Sequence, residues 1–125
     1  MAVKILVIED NPDILFILDY LLLEGGYEVV SASDSSAIEQ LDEIKPNLII
    51  LDELLTDVRG SELCTVIKST DHTSHIPVML ISAHPNIKTF AEACKADAYL
   101  EKPFEIQEFL DLIRQLTTDD IAAGK

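Results

Sequence analysis

Five short apolar runs alternate along the chain with segments of helical period, and that alternation leaves few folds open. The runs are Val3 to Ile8, Tyr27 to Ala32, Leu48 to Leu51, Ile76 to Ile81 and Ala98 to Leu100. A short apolar run bounded by turn signals reads as a strand buried on both faces of a parallel sheet. Between the first two, Asn11 offers a helix cap and Pro12 the first helical position. Ile14, Ile17, Leu18, Leu21 and Leu22 follow at helical spacing, and Gly25 and Gly26 close the helix. Asp34 or a neighbouring serine caps a second helix carrying Ala37, Ile38, Leu41 and Ile44, stopped by Pro46. Ser61 caps a third with Leu63, Val66 and Ile67, and a shorter fourth carries Ile87, Phe90, Ala91 and Cys94. Ile106, Phe109, Leu110, Ile113 and Leu116 make a strongly amphipathic fifth.

Such βα alternation predicts an α/β domain: a doubly wound parallel sheet with five helices on its two faces. Right-handed crossovers restrict the topology, and five strands fit the flavodoxin-like order 2-1-3-4-5. The switch point then lies between strands one and three, at their carboxyl ends. The expected domain spans residues 1–118. The segment from Thr117, TTDDIAAGK, has little to bury and is expected to fray, with 119–125 a polar tail or the start of a linker.

At 125 residues the chain is one domain with room for a single core. No apolar run approaches the ~18 residues of a membrane span, and MAVKILVIED reads as a core strand, not a leader. Cys64 and Cys94 have no metal-site spacing and fall on apolar helix faces, so they read as buried free thiols of a reduced, cytoplasmic protein. The formal net charge of −14 repels phosphate backbones and anionic lipid. Direct binding to nucleic acid or membrane is not expected.

The acids at strand ends need a different account. The first strand runs into Glu9 and Asp10, and the third into Asp52. In a 2-1-3-4-5 sheet those strands are neighbours, so three carboxylates converge on one crevice. Like charges at that distance raise each other's pKa unless a cation sits among them. An oxygen-only cluster of this kind suits Mg2+. Ser82 directly follows the fourth strand and Lys102 the fifth, on the same rim. Alone, Ser82 reads as a cap and Lys102 as a surface charge. Beside the acids they complete a site with metal ligands, a nucleophile, a cation and a hydroxyl donor.

With these residues in place the chain resembles a response-regulator receiver domain of two-component signalling, of the stand-alone, chemotaxis-regulator-like kind. The resemblance covers Val3 to about Thr117. It rests on Glu9 and Asp10 in ILVIEDNP, Asp52 in LIILDELL, Ser82 in MLISAH, Tyr99 and Lys102 in AYLEKPF, and Gly60 after the site loop. A member of that family is itself a known example of the 2-1-3-4-5 order, so fold and family are one expectation. The resemblance implies a phosphorylation-activated switch. Asp52 accepts a phosphoryl group from the phosphohistidine of a histidine kinase or a histidine phosphotransfer protein. Mg2+ is held by Asp10, Asp52 and the backbone carbonyl of Leu54, with Glu9 ordering the metal. Lys102 neutralises phosphoryl oxygens, and Ser82 and Tyr99 carry the switch to the helix 4–strand 5–helix 5 face. A downstream protein partner or output domain reads that face, and a weak dimer on phosphorylation is compatible with the resemblance. The resemblance implies self-catalysed transfer and dephosphorylation, but no turnover of other substrates.

Two positions depart from the family pattern. Thr56 stands where proline is common, and Lys95 where glycine is common before the fifth strand. If Lys95 is left-handed, it costs ~1 kcal/mol or more. The resemblance implies that Leu54 and His84 occupy positions that flank the phosphoryl group; His84 is expected to be exposed. His72 and His75 lie in a polar loop and read as solvated, without a third metal ligand. Two alternatives remain: an aspartate-nucleophile, Mg2+-dependent phosphatase, and a degenerate receiver that only binds partners. The phosphatase signature D-x-D-x-T fails at Leu54, where the second aspartate belongs. A flavodoxin-type cofactor site fails on EDNPD, which is acidic where a flavin phosphate would sit.

Overall fold

Each of the five apolar runs forms a strand, and the five make one parallel sheet in the order β2-β1-β3-β4-β5. The strands of this computed structural model are β1 (Lys4–Ile8), β2 (Glu28–Ala32), β3 (Leu48–Asp52), β4 (Val78–Ser82) and β5 (Ala98–Glu101). The helices are α1 (Pro12–Glu24), α2 (Leu41–Ile44), α3 (Gly60–Ser69), α4 (Ile87–Cys94) and α5 (Ile106–Ala123). The structure describes residues 2–123, with side chains for 2–118. The predicted fold class and strand order are those observed.

The two faces divide the core. Leu6, Ile8, Ile49, Leu51, Val78 and Leu80 pack against Leu41 of α2, Leu63 and Ile67 of α3, and Ile87 and Ala91 of α4. Ile5, Val7, Leu48, Ile50, Met79 and Ile81 face Leu18 and Leu22 of α1 and Phe109 and Ile113 of α5. Alternate residues of each strand thus serve opposite layers, which is why the central strands are apolar throughout. β3 is buried along its whole length, Asp52 included. At about 25 cal/mol per Å² of apolar surface removed from water, these two layers supply the main drive to fold.

Several local expectations need correction. Asn11 caps α1 as predicted, accepting from the amides of Asp13 and Ile14. Ile17, expected on the buried stripe, is 55% exposed, and Phe16, Tyr20 and Leu23 are exposed beside it. Helix α1 is apolar around most of its circumference, so periodicity alone does not fix which face turns inward. The second helix opens as a 3-10 segment, Ser35–Gln40, capped by Asp34, before the short α2. Ser61 does not cap α3: the N-cap position is Arg59, and the Ser61 amide is met by Glu53. Val66 is exposed. The last helix continues to Ala123, and Thr117 is buried, its hydroxyl donating to the Ile113 carbonyl at 2.8 Å. The expected fraying therefore does not begin at Thr117. Side chains from 119 on, and residues 124–125, lie outside the described residues.

Cys64 and Cys94 are free and buried as predicted. The Cys64 thiol lies 3.3 Å from the Cys94 carbonyl, and burial pushes its pKa far above the usual thiol range. Lys95 ends α4 at φ 64°, and Lys45 ends α2 at φ 50°. Both are left-handed, so the strain anticipated for Lys95 is present.

Candidate phosphoacceptor site

β1, β3, β4 and β5 all point their carboxyl ends at one rim, because the sheet is parallel. Asp52 is the last residue of β3 and is almost fully buried. Its Oδ1 accepts the Leu54 amide at 3.0 Å, which folds the loop back over the strand end. Its Oδ2 accepts Lys102 Nζ at 3.0 Å. The same ammonium donates to Glu9 Oε1 at 3.1 Å. Lys102 reaches the site because its own amide continues the ladder, donating to the Ser82 carbonyl at 2.8 Å. The Lys102–Pro103 peptide is cis.

Glu9 is only 1% exposed. Burial, a hydrogen bond shared with Asp52 and the Asp52 charge raise its pKa from 4.5 to about 7, against the opposing pull of Lys102. Burial alone would depress Lys102, but hydrogen bonds and charge from Asp52 and Glu9 outweigh it and hold the ammonium above its ordinary pKa. One cation therefore serves two buried acids and leaves the cluster electrostatically short of positive charge. Asp10 is half-buried beside them, and the Thr56 hydroxyl donates to its carboxylate.

Among the described residues, Glu9, Asp10 and Asp52 form a group that could hold a metal, each offering an oxygen within 4.8 Å of the others. Opposite ligands of an octahedral Mg2+ lie about 4.2 Å apart, so small rotations would bring these oxygens into range. The donor set, all oxygen and carrying surplus negative charge, fits a hard divalent cation. The Leu54 side chain is exposed, but its backbone bonds to Asp52 and pairs with Arg59, at the edge of the cluster.

Ser82, the last residue of β4, is fully buried. Its Oγ accepts the His84 amide at 3.0 Å, which leaves the hydroxyl proton free for another acceptor. Tyr99 lies on the solvent side of β5, 40% exposed. Gly60 passes so close to β3 that an added Cβ would sit 2.3 Å from the Asp52 carbonyl oxygen. Its role is close approach, with its amide donating to the Glu53 carbonyl at 3.0 Å.

The model of the response regulator receiver domain matches residues 5–114. The chain belongs to that family. Receiver domains of this family are phosphorylation-activated signalling switches. This receiver is 40% identical over 109 residues to the nitrogen assimilation regulatory protein NtrX of Azorhizobium caulinodans, a match covering 83% of it and 24% of the relative. It is 34% identical over 116 residues to the DNA-binding dual master transcriptional regulator RpaA of a Synechocystis strain, over 90% of this chain and 48% of that one. The receiver thus spans about half the length of RpaA and about a quarter of NtrX. A response regulator receiver domain protein from Clostridium thermocellum superposes with a TM-score of 0.86 at 28% identity, covering 97% of this chain and 98% of that one.

The structure brings Glu9, Asp10, Asp52 and Lys102 together and sets Ser82 on the same rim. His84 is half-buried, not exposed as expected: its ring lies 4.9 Å from Phe90. His72 and His75 are exposed as predicted, with His72 Nε2 3.6 Å from Asp42. Sequence reasoning passed over Glu53, a fully buried acid. The available signal was an acid directly after a buried strand, with arginine six residues on. Among the described residues no helix is long and apolar enough to cross a membrane.

Proposed function

We propose that Asp52 is the phosphoacceptor of this receiver and that a phosphohistidine, on a histidine kinase or a histidine phosphotransfer protein, is the donor. A carboxylate oxygen of Asp52 attacks phosphorus, the P–N bond breaks, and the imidazole nitrogen keeps the electron pair and takes up a proton. The observation that carries this reading is the single ammonium of Lys102 between Asp52 and Glu9, 3.0 and 3.1 Å away. That ammonium holds Asp52 in place before reaction and can donate to an equatorial phosphoryl oxygen during it. Asp10, Asp52 and the Leu54 carbonyl would hold Mg2+, with Glu9 beside it. Bound there, the cation would neutralise charge on the phosphoryl oxygens. Ser82 supplies a hydroxyl proton that its bond to His84 does not use.

The output follows from the same rim. Ser82 moving towards the phosphoryl group opens space beneath Tyr99, whose half-exposed ring can turn inward. The groove beside Tyr99 is lined by Glu101, Glu105, Glu108 and Asp111, so the face presented to a partner or output domain is acidic. The receiver unit in this reading spans 1–118. Phosphorylation by a small acyl-phosphate donor with Mg2+ tests it: wild type is labelled and Asp52→Asn is not. Equal labelling of the two proteins defeats the assignment.

A further inference from the structure

Helix α3 starts without a side-chain cap from its own N-cap residue. The carboxylate of Glu53, fully buried and directly after Asp52, takes that place. Glu53 Oε1 accepts the Ser61 amide at 2.7 Å. Oε2 accepts the Ser61 hydroxyl at 2.9 Å and two nitrogens of Arg59, Nε at 2.8 Å and Nη2 at 2.7 Å. A carboxylate with this many charge-assisted contacts is fixed, and it fixes the guanidinium in turn.

That guanidinium lies over the ring of Phe90 on α4, 4.6 Å from its centroid. Phe90 packs 4.9 Å from His84, and the His84 amide holds the Ser82 hydroxyl oxygen at 3.0 Å. A continuous set of contacts thus joins the residue beside Asp52 to the hydroxyl at the end of β4, by way of α4. Phosphoryl transfer itself requires none of Glu53, Arg59 or Phe90.

We propose that Arg59 is a positioning residue that clasps Phe90 and biases α4 and Ser82 towards the resting arrangement, setting how readily the phosphorylated arrangement forms. The inference rests on the phosphoacceptor reading of Asp52. Ser82 cannot move towards a phosphoryl group without releasing or dragging the His84 amide. His84 in turn moves against Phe90, and Phe90 leaves the guanidinium that Glu53 holds in place. A contact made in only one of two states favours that state by its full free energy.

The test compares Phe90→Leu, which keeps apolar bulk and loses the ring face, with Phe90→Tyr, which keeps the face. Amide hydrogen exchange over residues 87–94 is measured in the unphosphorylated protein. The half-saturating concentration of beryllofluoride with Mg2+, a phosphoryl mimic, is measured alongside. Loss of an exposed cation–π contact corresponds to roughly two- to five-fold. Phe90→Leu is expected to speed exchange and lower half-saturation by about that factor, with Phe90→Tyr at the wild-type value. The clasp is overturned if Phe90→Leu leaves either measurement at wild type, or if Phe90→Tyr behaves like Phe90→Leu. Asp52→Asn separates the two readings. If it binds beryllofluoride like wild type, the phosphoacceptor assignment fails, while the exchange comparison, which needs no phosphoryl group, still decides the clasp.

Discussion

Glu9 should make the metal-free protein lose stability as pH rises through the neutral range, opposite to the usual carboxylate. Its pKa is 4.5 as an ordinary side chain and about 7 in the fold, raised by burial and by the neighbouring Asp52. Between those values the folded state holds a proton that the unfolded chain has released. Stability therefore falls as pH increases across that window and levels off above it. A shift of that size corresponds to roughly 3 kcal/mol, at 1.36 kcal/mol per pKa unit. The other shifted groups act elsewhere. Asp34 and Asp57 are lowered by hydrogen bonds to Ser36 and Ser35, so they withdraw stability only in acid, below the usual aspartate value. Lys102 is raised and loses its contribution only in strong alkali. Urea titrations at pH 5, 6, 7 and 8 in a metal chelator measure the slope. Glu9→Gln, which keeps the shape without the titration, should flatten it. Added Mg2+ at ten times its Kd should restore about 1.4 kcal/mol at pH 8 and little at pH 5. The reasoning fails if stability rises with pH over this window, or if Glu9→Gln keeps the wild-type slope.

Three further outcomes follow from backbone and buried-charge geometry. Lys95→Gly should stabilise the fold by about 1 kcal/mol in chemical denaturation, since Lys95 sits at φ 64° and glycine is unstrained there; no gain would mean the turn relaxes freely. Gly60→Ala drives a Cβ to 2.3 Å from the Asp52 carbonyl, so it should cost about 2 kcal/mol or more and depress labelling by the acyl-phosphate donor. Wild-type labelling would show that the loop shifts without moving Asp52. Glu53→Ala removes the acceptor of the Ser61 amide and the partner of Arg59, and should cost about 2–3 kcal/mol by urea titration.

The acidic rim was legible because it follows from where apolar runs stop, while the sheet order came from the crossover rule together with a known order for five strands. Asp52, Glu9 and Lys102 each end or follow a strand, and a parallel sheet carries all such ends to one edge. What was not legible depends on contacts that local rules do not see. Ser61 looked like a cap for α3, but the cap is Glu53, eight residues earlier and on the far side of the loop. Ile17 looked buried because α1 is apolar on several faces, and only packing against β1 and β2 selects Leu18 and Leu22. His84 looked exposed because nothing near it in sequence announces Phe90, six residues away across a turn.

The site is assembled with a deliberate imbalance of charge. Three carboxylates share one ammonium, and the most buried of them, Glu9, is pushed towards protonation by its burial first and by the neighbouring Asp52 second. An equal count of lysines would leave no charge deficit for a hard cation to fill. Lys102 instead bridges Glu9 and Asp52, so Asp52 is held still while its charge is only partly met. The remaining deficit is what a divalent cation can fill, and filling it should both steady the fold and ready Asp52. Stability and reactivity are then coupled through the same three oxygens. That coupling is why Glu9, which need not touch phosphorus, is the residue whose titration best reports on the state of the site.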